Sequence, residues 1–114
     1  MDSELDLTRL DELQQLLGTE RAAIVDTLLT ELSTALDDIA GGLAAGDLEA
    51  VATAAHAARN SALMIDAQPL LAGLGDLESC ARNDELAAAL TANRRLRRTW
   101  PRLRRRLESA ASGG

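Results

Sequence analysis

Few side chains in this sequence can act as nucleophiles or pass a proton near neutral pH: it has one histidine, one cysteine and no tyrosine. His56 stands out because of its neighbours. Leu48, Val51, Ala55, Ala58, Ala62 and Ile65 recur at spacings of three and four, the seam of a helix that faces a core. Successive helical residues turn by about 100°, so His56 falls off the edge of that seam and points toward solvent. Ala52, Arg59, Asn60 and Leu63 share its surface. An imidazole nitrogen on a rigid helix is a nucleophile of fixed direction. A guanidinium one turn away neutralises charge on a transferring group, and its planar fork matches two phosphoryl oxygens. The chemistry that fits is phosphoryl relay. The competing reading, an ordinary surface histidine, is the one that spacing alone favours.

The elements that must position these residues are helices. Hydrophobic residues make up 46% of the 114, with no Phe, no Tyr, one Trp and a heavy load of Ala and Leu. Helices favour Ala, Leu, Glu and Arg, whereas strands favour β-branched and aromatic residues, so the fold class is all-α. Residues 5–17 carry Leu7, Leu10, Leu13, Leu16 and Leu17 on one stripe, and Gly18 ends them as a short N-terminal helix. Thr19 caps a second helix, with Glu20 in its first turn and Ile24, Leu28, Leu32, Leu36, Ile39 and Leu43 facing the core. Gly41 and Gly42 are expected to loosen its last turn before Gly46 stops it, at about 1 kcal/mol each against Ala.

Asp47 is the expected N-cap of the histidine helix, which runs to about Ile65. A fourth helix begins near Gln68, with Pro69 in its first turn, and carries Leu70, Leu71, Leu74 and Leu77 to about Arg82. Asn83-Asp84 is a break. The last helix, from Asp84 to about Ser109, places Leu86, Leu90, Leu96, Trp100, Leu103 and Leu107 on its apolar side, and Pro101 should kink or split it. The expectation is one domain over 1–114. Its core spans about 5–108 as an antiparallel four-helix bundle with a short N-terminal capping helix, and a flexible tail occupies 110–114.

Net charge is −6, unevenly spread. Residues 1–49 hold twelve acids against two arginines, and residues 87–114 hold eight arginines against Glu108 alone. Opposite fields of that size complement each other within one bundle. Cys80 has no partner for an intrachain disulfide, which fits a reducing compartment. No apolar run approaches the roughly 20 residues of a membrane span, and the N-terminus is acidic where a secretory signal is basic. The expected location is the cytoplasm.

The stretch from Ala54, AAHAARNSALMIDAQPLLAGLGDLE, resembles the signature of histidine-containing phosphotransfer (HPt) domains. That signature has an alanine before the histidine, a lysine three residues after it and a small residue four after it. A Ser/Ala pair, a Gly-Ala step and a leucine-rich helix ending in Leu-Glu follow. Ala55, His56, Ser61, Ala62, Ala67, Leu77 and Glu78 match, and Arg59 takes the lysine's place. The LDLTRLDEL opening and the AAGDLEAV segment before the histidine helix extend the likeness to about residues 5–108. Two positions depart from it: Asn60 replaces a glycine, and Asp66 replaces the glycine of the Gly-Ala step.

The resemblance implies a non-enzymatic phosphocarrier with His56 as phosphoacceptor and Arg59 as electrostatic stabiliser. Ala52, Asn60, Leu63 and Glu78 would belong to the docking surface. The implied partner is the receiver domain of a response regulator or hybrid kinase. The chain would need no cofactor, because the Mg²⁺ of the reaction sits in the receiver. It has no glycine-rich phosphate loop for ATP.

Other readings belong to different classes. A phosphotransfer-derived bundle that no longer carries phosphate would act as a protein-binding adaptor or inhibitor, a reading that Asn60 keeps open. The arginines from Arg94 to Arg106 suggest nucleic acid or anionic lipid, yet nucleic-acid binding usually adds stacking aromatics. Only Trp100 is present, and at an apolar position, so solvated arginines on a bundle helix are the better reading.

Overall fold

The computed structural model describes residues 21–65 and 67–111, all in helices or the tight turns between them. Four helices follow in order: α1 (Arg21–Ala45), α2 (Leu48–Leu63), α3 (Gln68–Arg82) and α4 (Leu86–Ala111). Each packs on its chain neighbours, and α4 returns to α1 to close the ring. The chain is all-α, a four-helix bundle. The short helix expected over 5–17, the expected N-cap Thr19 and first-turn Glu20 of the helix after it, the end of the tail and Asp66 lie outside the described residues.

The core is leucine from three helices and alanine from the fourth. Leu28, Leu32, Leu36 and Ile39 of α1, Leu70, Leu74 and Leu77 of α3, and Leu96, Leu103 and Leu107 of α4 are all buried. The buried face of α2 consists of Val51, Ala52, Ala55, Ala58, Ser61 and Ala62. With nothing there larger than valine, the α2 backbone lies close to its neighbours, which brings its outer side chains within reach of α3.

The expected seam of α4 needs correction at its start. Leu86 and Leu90 remain 40% and 38% exposed, while Ala89 and Ala92 take the inward places. Counting back from Leu96 in steps of three and four reaches Ala92 and Ala89; Leu90, six residues away, is out of phase. Pro101 does not split the helix, which is continuous from Leu86 to Ala111. The ring of Pro101 lies on the exposed side, where water can satisfy the Arg97 carbonyl that loses its helical partner. Met64, at the C-cap of α2, is 38% exposed.

Two helix ends use the same device with different residues. After α1, Gly46 sits at φ 70°, with Asp47 N–H donating to the Gly42 carbonyl (2.8 Å) and Gly46 N–H to that of Leu43 (3.2 Å). After α3, Asp84 sits at φ 59°, with Glu85 N–H donating to Cys80 (2.9 Å) and Asp84 N–H to Ala81 (3.2 Å). Both are Schellman closures, and the left-handed position in the second carries a Cβ. Asp84→Gly is therefore expected to raise stability by about 1 kcal/mol, read as a melting temperature higher by a few degrees.

Gly41 and Gly42, paired in the sequence reading as looseners of α1, play different parts. A Cβ on Gly42 would stand 2.8 Å from Val51 Cγ2 and 3.2 Å from the Asp47 carbonyl, so Gly42 admits the start of α2. A Cβ on Gly41 meets nothing within 4 Å. Gly41→Ala should stabilise by up to about 1 kcal/mol, and Gly42→Ala should destabilise by about 1–3 kcal/mol. Urea unfolding of the two variants measures both signs against the same wild type.

Candidate functional site

Asp47 begins the histidine helix as expected. Its side chain accepts a hydrogen bond from Ala50 N–H at 3.1 Å, and Glu49 places negative charge in the first turn. His56 lies at the middle of α2, away from frayed ends, with its side chain 57% exposed. Ala55 and Ala58, the seam residues beside it, are 0% and 1% exposed. The imidazole is thus held on a rigid helix and open to a partner.

Across from it, Leu77 of α3 is fully buried and Glu78 sits at the margin of the same seam, only 8% exposed. Three cationic or potentially cationic side chains converge on that carboxylate. Arg59 Nη1 donates to Oε1 at 2.9 Å. Arg82 donates to Oε2 through Nε at 3.0 Å and Nη2 at 2.8 Å. His56 Nδ1 lies 3.3 Å from the same Oε2. Burial pushes the Glu78 carboxyl up, but the hydrogen bonds from Arg59 and Arg82 and the fields of His56 and Arg82 outweigh it. Its pKa is held below the ordinary 4.5.

An ionised carboxylate can only accept hydrogen bonds. An imidazole facing it presents Nδ1–H, which leaves the lone pair on Nε2 pointing outward. The arrangement can therefore supply a directed nitrogen nucleophile beside two guanidinium groups. It can also stabilise positive charge on the ring once Nε2 has formed a bond.

The site residues expected from the sequence divide on inspection. His56, Arg59, Asn60 and Leu63 share an open surface, with Leu63 53% exposed. Ala52 is 4% exposed and belongs to the core, and Glu78 is a buried anchor beneath the histidine, so neither lies on an exposed docking surface. Ala52 turns inward because the α2 seam is two residues wide at that level, taking Val51 and Ala52 together. Arg82 was missed. Its signal was the Glu78–Arg82 spacing of four, which places the pair on one helix face. Among the described residues, no group of three or more His, Cys, Asp or Glu side chains is placed to hold a metal ion.

The model of the Hpt domain family matches residues 23–112, most of the chain. The chain belongs to the Hpt domain family. The match spans α2, α3, α4 and nearly all of α1, and so contains His56, Arg59, Glu78 and Arg82. The fold is that of a histidine-containing phosphotransfer protein B (HptB) from Pseudomonas aeruginosa PAO1. That crystal structure superposes with a TM-score of 0.91 over 100% of this chain and 99% of the other, at 24% sequence identity. At that identity the likeness speaks for the fold alone. No curated protein matches the sequence.

The arginine-rich helix is mostly solvated in this Hpt domain. Arg94, Arg95, Arg98, Arg102, Arg104 and Arg105 are exposed. Arg97 is half-buried, donating to the Leu36 carbonyl at 2.8 Å and lying 3.8 Å from Asp37, so part of the charge asymmetry is spent joining α4 to α1. Trp100 is 7% exposed and offers no stacking surface. No helix among the described residues is long and apolar enough to cross a membrane.

Proposed function

We propose that this chain is a phosphocarrier in a phosphorelay, accepting a phosphoryl group on His56 from a receiver-domain aspartate and passing it to another. The observation that carries the reading is the exposed His56 backed by the buried Glu78 carboxylate, within a family-matched bundle. The Nε2 lone pair attacks phosphorus. The P–N bond forms as the bond to the aspartate oxygen breaks, and the carboxylate leaves with its electron pair. The ring keeps its Nδ1 proton and gains positive charge, which Glu78 stabilises from 3.3 Å away. Arg59, 41% exposed and one turn from His56, neutralises the phosphoryl oxygens. The return step runs the same bonds in reverse.

The partner is a receiver domain, which brings its own Mg²⁺; this chain supplies neither kinase chemistry nor a cofactor. Asn60 and Leu63 on the open side of α2, and Met64 at its C-cap, lie beyond His56 and would meet the receiver. A contact of this kind is transient and small. The test is incubation with a panel of phosphorylated receiver domains and Mg²⁺. Label on the chain that is acid-labile and base-stable supports the relay. No label from any receiver, with helical content confirmed by circular dichroism, would leave the adaptor reading.

A further inference from the structure

Two arginines share one carboxylate, and their attachments differ. Arg82 reaches Glu78 from the same helix, four residues on, and gives two hydrogen bonds to Oε2, the oxygen that faces His56. Arg59 reaches it from the neighbouring helix through one hydrogen bond to Oε1, and its Nε is buried without a hydrogen-bond partner. We propose that the two have separate duties: Arg82 is the positioning residue that holds Glu78 against His56 throughout, and Arg59 is the exchangeable one that moves to the phosphoryl group. The assignment rests on the relay reading above and goes beyond it in naming which contact persists.

Charge and bond count both favour this division. With neutral His56, Glu78 and the two arginines sum to one positive charge; a phosphoryl group adds about two negative charges beside them. Arg59 lies three residues from His56 on the same helix, so it shares the helix surface on which the new charge appears. Its departure forfeits a single hydrogen bond and frees a buried, unsatisfied Nε–H to find an acceptor. Were Arg82 to leave instead, Oε2 would lose both its arginine donors. A buried carboxylate stripped of its partners is the costly outcome. Arg82 staying in place keeps Oε2 satisfied and aligned with Nδ1–H in both phosphorylation states.

His56 is the only histidine, so one set of imidazole signals reports its tautomer directly. Long-range ¹H–¹⁵N spectra at about pH 8, where a free imidazole is neutral, should show the Nδ1–H form dominant in the wild type. Arg82→Gln should lower the ratio of Nδ1–H to Nε2–H about tenfold, the effect of losing hydrogen bonds to a charged group. Arg82→Lys, which keeps charge without the two-point fork, should fall between. Arg59→Gln should leave the ratio within about twofold of wild type.

After loading His56 with phosphoramidate as a small-molecule donor, the Arg59 Nε–H resonance should move while that of Arg82 holds. An Arg59→Gln shift as large as that of Arg82→Gln, an unchanged ratio in Arg82→Gln, or an Arg82 resonance that moves on phosphorylation would each overturn the assignment. Receiver transfer is read separately. A chain that fails it yet keeps these tautomer ratios loses the relay reading and not the role of Arg82.

Discussion

His56→Gln is expected to fold as the wild type does and to take no phosphate from any receiver. The side chain is more than half in water and faces away from the alanine seam, so its replacement opens no cavity and orphans no core group. Gln is comparable in reach and its amide can still donate to Glu78, which keeps that carboxylate satisfied. It has no ring nitrogen to form the P–N bond. Loss of label to background, with an unchanged circular dichroism spectrum, places the phosphoryl group on His56. Retained label on the variant would mean that another side chain accepts it. Biological activity that survives without label would favour the adaptor reading, and Asn60→Gly would then show whether the larger residue at that position blocks receiver approach.

The second large effect is expected at Glu78. Glu78→Gln removes the charge on which Arg59, Arg82 and His56 converge and leaves two arginines facing each other across a neutral amide. The expected loss is about 1–2 kcal/mol, below the roughly 3–5 kcal/mol for breaking a fully buried pair, because both arginines keep contact with water. The sign of its pH dependence follows from the lowered carboxyl pKa. A carboxylate that ionises more readily folded than unfolded stabilises the protein above the unfolded value near 4.5, and that contribution disappears as pH falls through the lower folded value. The stability gap between wild type and Glu78→Gln should therefore be widest above about pH 5 and should close in more acidic solution. Urea titrations at a series of pH values test this, and a gap that stays constant into acid would show that the carboxylate is not held ionised by its neighbours. Transfer from receivers should fall about tenfold in the same variant, since the ring is no longer held in a single tautomer by a charged acceptor.

Much of this molecule was legible from local pattern. Spacings of three and four marked the helical seams among the described residues, because a helix that must bury one face can do so only with that period. The start of α4 is the exception: Ala89 and Ala92 face inward there, not Leu86 and Leu90. Asp47 as a cap, Pro69 in a first turn and Gly46 as a stop are backbone chemistry confined to a few consecutive residues, and each stands where the sequence placed it. His56 was placed at the seam's edge for the same reason. What local pattern could not supply was depth and partnership across helices. Glu78 and Ala52 were read as surface, yet the small residues of α2 draw the helices together until both are covered. Gly42 was read as a loosener and is a point of close approach, which depends on where the start of α2 lies.

The amino-acid sequence thus settled the helices and most of their inward faces and singled out His56 as the candidate phosphoacceptor, since these follow from short-range periodicity and residue chemistry. The tertiary structure decided that His56 has a carboxylate behind it and that Arg59 and Arg82 share that carboxylate. Residues 56, 59, 78 and 82 belong to two helices, and only the packing of an alanine face against a leucine face determines the distance between them.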